Sequence, residues 1–217
     1  MTPAGEQTRQ SAAAIPQSNY NRTLARMPGE FLKYNQRRMI EHFHLEHDAL
    51  YLYLTLFARR YRVSRQAGTV EWHDGVQYHP GGFYDSMTIY DLLCCAKDNC
   101  RLAGRFCRAE HLPGAAYGAD PAKGTFDFFA ALCDRDPAQL AAACARLGGS
   151  RMQLGEVSWR LSVFDCLPVI VQFWSSDEEF PSVFKLMWDE NTLDFLHFET
   201  VCYAAALLVE RLRAYMA

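Results

Sequence analysis

The chain has 217 residues, half of them hydrophobic and 22% charged, which suits one substantial core and excludes an intrinsically disordered protein. A net charge of −3 gives no overall electrostatic reason to bind nucleic acid or an anionic membrane. No apolar run reaches the roughly 18 residues a membrane-spanning helix needs, and the N-terminus carries no signal-peptide-like apolar segment, so a soluble, cytoplasmic protein is expected.

Residues 1–26 are rich in Ala, Ser, Gln and Pro and read as a disordered polar tail, with a single α+β domain over 27–217. After Met27–Pro28–Gly29, the segment EFLKYNQRRMIE spaces Phe31, Leu32, Asn35, Met39 and Ile40 as an amphipathic helix ending near Glu41. EHFHLEHD (41–48) follows, with three of the seven histidines and three carboxylates. In an extended conformation His42, His44, Glu46 and Asp48 share one face, which suits a divalent metal held by His42, His44 and Glu46. A solvated polar edge produces the same pattern.

LYLYLTLF (50–57) alternates leucines with Tyr51, Tyr53, Thr55 and Phe57, a strong strand signal, and Gly68 turns the next strand back. Arginines 59, 60, 62 and 65 beside those aromatics raise the question of base stacking. No RNP-like sequence accompanies them, so a covered sheet face with an Arg-rich hairpin is expected instead. Gly81–Gly82 precedes a helix over FYDSMTIYDLLCCAKD, a strand follows near 102–109, and 112–124 is a Gly/Pro/Ala loop. Two helices come next, the second capped by Asp136, with Pro137 in its first turn and Gly148 at its end.

Three strands, 156–164, 168–174 and 182–188, form an antiparallel meander, and a long terminal helical region breaks near His197 with Val201, Ala205, Leu208 and Leu212 as its buried stripe. The architecture expected is α+β: antiparallel sheets covered by helices. The meander puts Asp165, Cys166 and Asp189 at one end and Asp177, Glu178 and Glu179 at the other, with His197 and Glu199 reachable from the first. Such a set suits a divalent metal or acid–base chemistry, and equally suits turn residues and a helix N-terminal charge. The candidate ligand-binding residues are Asp165, Trp174, Asp177, Glu178, Asp189 and Glu199.

The eight cysteines, four of them spaced CC-x4-C-x6-C from Cys94 to Cys107, match neither zinc nor iron–sulfur spacing and read chiefly as small core residues. P-loop, dinucleotide and nucleophile-elbow fingerprints are absent. A module that binds a small molecule or a protein without catalysis is the leading expectation, with a metal-dependent His/carboxylate enzyme as its rival.

Gly148–Gly149, Gly155, Leu167–Pro168, Trp174, the run Asp177–Glu178–Glu179–Phe180–Pro181, Asp189 and Glu199 together resemble a bacterial and archaeal family known as a domain of unknown function, over roughly residues 30 to 213. Some relatives carry an extra N-terminal cysteine cluster like that of corrinoid iron–sulfur proteins; the first 93 residues here contain no cysteine. The resemblance implies the same fold and, as a further alternative, an accessory role to corrinoid or iron–sulfur enzymes in anaerobic metabolism. It implies no reaction.

Overall fold

The computed structural model describes residues 17–115 and 123–216. Helix α1 (Gln17–Phe31) and helix α2 (Gln36–Phe43) open the chain, separated by a turn at Asn35 whose side chain accepts from Arg38 N at 3.2 Å and starts α2. Helix therefore begins within the stretch expected to be a disordered tail; residues 1–16 lie outside the described residues, as do 116–122 of the expected 112–124 loop. Pro28–Gly29 looks like a helix boundary, yet Pro28 lies inside α1. Its carbonyl comes so close to Gly68 (φ +74°) that a Cβ there would lie 2.4 Å from the oxygen. Gly68 thus supplies both the turn and the room for α1.

The first sheet runs in sequence order through β1 (Glu46–His47), β2 (Tyr51–Leu56), β3 (Arg59–Ser64), β4 (Val70–His73) and β5 (Tyr78–Pro80). Leu52 and Leu56 are buried, and the opposite face holds arginines against rings, Arg62 over Tyr51 and Tyr78 and Arg60 over Tyr53, while Arg59 lies over Trp72 at the margin of the leucine face. The aromatics of this face are engaged by the arginines themselves. Phe57 does not join them. It and Ala58 form the two-residue β2–β3 loop, at φ 47° and 59°, a left-handed pair built without glycine. Phe57 is buried and its N–H donates to Val163 O at 3.0 Å.

Helix α3 (Phe83–Cys95) links the sheets and is buried on nearly all sides, with Ser86, Thr88, Ile89, Tyr90, Asp91 and Leu92 enclosed. The second sheet has the order β6-β10-β9-β8-β7, made of β6 (Phe106–Arg108), β7 (Ser150–Arg151), β8 (Val157–Phe164), β9 (Leu167–Trp174) and β10 (Val183–Asp189). All its pairings are antiparallel. The three-strand meander expected from the sequence is its centre, and β9 is buried almost throughout, as its continuous apolar run requires. Helices α4 (Lys123–Cys133) and α5 (Pro137–Arg146) pack on it, and Asp136 caps α5 through Ala138 N and Gln139 N.

A short α6 (Thr192–Phe195) is followed by α7 (Phe198–Met216), with the break at Leu196–His197. Val201, Ala205, Leu208 and Leu212 are buried as the stripe predicts. The fold is α+β, with one core running through both sheets. Arg211 of α7, itself buried, ties that helix to the β2–β3 hairpin: its guanidinium donates to Leu56 O, to Phe57 O at 2.9 Å and to the Tyr61 hydroxyl. Among the described residues no helix is long and apolar enough to cross a membrane.

Candidate functional site

EHFHLEHD is not one extended face. Helix α2 carries His42, and His44 is its C-cap in the left-handed conformation (φ 50°, ψ 43°), donating its N–H to Ile40 O. That reversal sends the two imidazoles apart. His42 Nε2 lies 3.1 Å from Cys100 Sγ, in a depression with Tyr34 and Arg38. Asp48 ends the stretch as a turn former, accepting from Leu50 N and Tyr51 N at 2.7 Å. The metal trio of His42, His44 and Glu46 is therefore not assembled.

His44 and Glu46 meet a carboxylate elsewhere. They line a pocket of about 200 Å³ where the two sheets adjoin, together with Thr55, Arg60, Asp165 and Cys166. Arg60 donates to Glu46 Oε1 at 2.9 Å and its guanidinium lies over the Tyr53 ring, so this cation is already balanced. Among the described residues His44 and Asp165 have no side-chain hydrogen-bond partner. The Cys166 thiol is pushed up to about 12, first by burial and then by Cys100 and Asp165 nearby. A thiol held protonated in this way is a weak nucleophile.

The other residues singled out from the sequence turn out to do structural work. The register pairs Trp188 with Val169 and Val183 with Trp174, which puts Asp165 and Asp189 at one end of the meander and Asp177 at the other. Asp189 nevertheless does not join Asp165. It is fully buried and accepts from Ala103 N and Gly104 N at 2.8 Å and Asn191 N at 2.9 Å, holding the loop before β6. Asp177 accepts from Glu179 N and Phe180 N within its own turn, where Glu178 is exposed. The Trp174 ring lies under the Lys185 ammonium at 4.9 Å, and Glu199 accepts from the Tyr203 hydroxyl one turn along α7.

A second cluster forms where α3 meets the start of α7. Asp91 accepts from His197 N at 2.7 Å on one oxygen and lies 2.6 Å from His197 Nδ1 on the other. Cys95 is one helical turn beyond Asp91, on the same face of α3. One ligand atom from each of Asp91, Cys95 and His197 lies within 4.8 Å of the others. Burial first, and then the Asp91 carboxylate, pushes the Cys95 thiol up to about 11. The sequence flags Cys95 and His197 only within other groupings and does not single out Asp91. The available signal is the D-x3-C spacing on a helix, which means little until α7 is packed against it.

The family described as Domain of unknown function (DUF3786) matches residues 36–211, and the chain belongs to that family. No curated protein and no solved structure matches the chain.

Proposed function

We propose that the domain binds a small polar molecule carrying a positively charged or hydrogen-bond-donating group, such as a primary amine, in the pocket between the sheets. The observation that carries this reading is the meeting of His44 and Asp165, 121 positions apart in the chain, on one pocket with neither side chain partnered among the described residues. A carboxylate at a pocket wall attracts an ammonium group, and an imidazole opposite it can accept or donate a further hydrogen bond. Arg60, balanced by Glu46 and stacked on Tyr53, shapes the wall and contributes little free charge. At about 200 Å³ the pocket is below the roughly 300–1,000 Å³ of drug-sized sites, so the occupant is metabolite-sized.

Amide chemical shifts of the labelled protein, recorded during titration with a panel of amino acids and small diamines, test this. Saturable shifts at Thr55, Asp165 and Cys166, lost in Asp165→Ala and kept in Asp177→Ala, are expected. A panel that leaves those resonances in place refutes the reading.

A further inference from the structure

We propose that Asp91, Cys95 and His197 form a binding site for a divalent transition ion of the zinc class, held by carboxylate oxygen, thiolate sulfur and imidazole nitrogen. The site is independent of the pocket between the sheets and shares no residue with it.

The first support is positional. Asp91 and Cys95 stand four residues apart on α3, a helix fixed by burial on nearly all sides. His197 sits at the entry to α7, whose apolar stripe is buried against the core. Asp91 is buried within α3, Cys95 is exposed at that helix's last position and His197 is exposed immediately before α7, so the three ligands stand together before any ion arrives.

Distances fit as well. An ion with bonds of about 2.0–2.3 Å holds its ligand atoms roughly 3.3–3.8 Å apart in a tetrahedron. The three donors already lie within 4.8 Å of one another, and the 2.6 Å Asp91–His197 contact need open by less than about 1 Å. One Asp91 oxygen and His197 Nδ1 already stand at hydrogen-bonding distance across the space an ion would widen. Binding releases the Cys95 thiol proton to solvent as the thiolate coordinates.

The donor set selects the ion. One sulfur, one nitrogen and one oxygen suit Zn(II), Co(II) or Fe(II), and a thiolate rejects Ca(II) and Mg(II), which take oxygen ligands. Three protein ligands among the described residues leave a fourth position for water or a ligand atom. Asp91 and His197 also line a groove beside Tyr20 and Tyr203, so an ion here is reachable from outside.

Helix capping alone accounts for less of the arrangement. Capping the start of α7 needs one Asp91 oxygen and the His197 N–H. It does not call for an imidazole on the second oxygen, nor for a thiol one turn further along α3.

The test is titration of the chelator-stripped full chain with Co(II), followed by absorption. Expected are one Co(II) per chain, thiolate charge-transfer absorption in the near ultraviolet, tetrahedral bands in the visible, and loss of both on adding Zn(II). Cys95 takes no part in capping, so Cys95→Ser keeps the fold, as far-ultraviolet circular dichroism confirms, yet loses the charge-transfer band and weakens binding by more than about tenfold. His197→Ala weakens binding to a similar degree, and Cys100→Ser, which disrupts the His42–Cys100 pair, changes nothing. Failure to bind Co(II) stoichiometrically, or bands that persist in folded Cys95→Ser, overturns the proposal.

Discussion

Replacing Asp189 by Asn changes one oxygen into an amino group in a side chain that is fully buried and holds three backbone N–H groups. Its best rotamer keeps the carbonyl oxygen toward Ala103 N and Asn191 N, which already share Oδ1 at 2.8 and 2.9 Å. The new NH2 then faces Gly104 N, formerly 2.8 Å from Oδ2, so two donors oppose each other in a site closed to water. A hydrogen bond to a charged group contributes about 1.5–3 kcal/mol, and a buried orphan donor costs about 1–3 kcal/mol. Relief of carboxylate desolvation offsets part of this, and Glu190 N to Arg105 O still ties the loop at 2.8 Å. The net loss expected is about 2–4 kcal/mol, or a fall in Tm of roughly 5–15 °C for a chain this size. Urea unfolding followed by circular dichroism measures it, with an unchanged m-value. A loss below about 1 kcal/mol would refute the view of Asp189 as the anchor of that loop. Intact stability with impaired ligand binding would return it to the candidate binding residues.

Arg211→Met leaves Leu56 O, Phe57 O and the Tyr61 hydroxyl without their shared donor, and should cost about 2–4 kcal/mol in the same unfolding assay, despite removing a buried charge. Ala58→Gly relieves a left-handed residue at φ 59° and should gain about 0.5–1 kcal/mol, less than the full steric term because glycine loses more entropy on folding. Gly149→Ala sets a Cβ 2.5 Å from Leu161 Cδ2 and 2.8 Å from Cys144 O; the backbone oxygen cannot yield, so calorimetry should show a loss of about 1–3 kcal/mol. Acid should loosen the tie between α4 and the β9–β10 turn. Ser176 donates to Asp134 through both N and Oγ and holds its carboxyl below the ordinary range, so this contribution is present above the unfolded carboxylate pKa of about 4 and fades as pH falls through the lower folded value. Asp134→Asn should flatten that part of the stability–pH curve.

Legibility in the sequence followed how far apart the cooperating residues are. The β8–β10 meander was readable because period-2 alternation and the Asp177 turn are local, and the break at His197 because the apolar stripe restarts after it. EHFHLEHD misled for a local reason too: His44 is a non-glycine residue in the left-handed region, and nothing in a single sequence marks that reversal. Asp165 lines one pocket with His44 and Glu46, while His42 lies in a different depression, and neither placement can be seen from local pattern because the partners are about 120 positions apart. The Asp91–Cys95–His197 cluster lay beyond reach because it depends on the packing of α3 against α7, between residues about 100 positions apart.

That same packing bears on how the cluster can be used. On α3, Asp91 and Leu92 are adjacent; Leu92 lines the pocket between the sheets, and Asp91 points to the start of α7. One buried helix thus has a wall of the pocket on one side and two of the proposed metal ligands on the other. A shift of α3 along its axis would move both, while rotation would be resisted by Tyr90, whose hydroxyl donates to Gly68 O at 2.8 Å. α3 is therefore the physical carrier through which the two sites would couple, and linkage makes such coupling reciprocal. Titrating Co(II) in the presence and absence of a pocket ligand measures it directly: equal affinities would mean that α3 is a fixed partition, and unequal ones that it transmits.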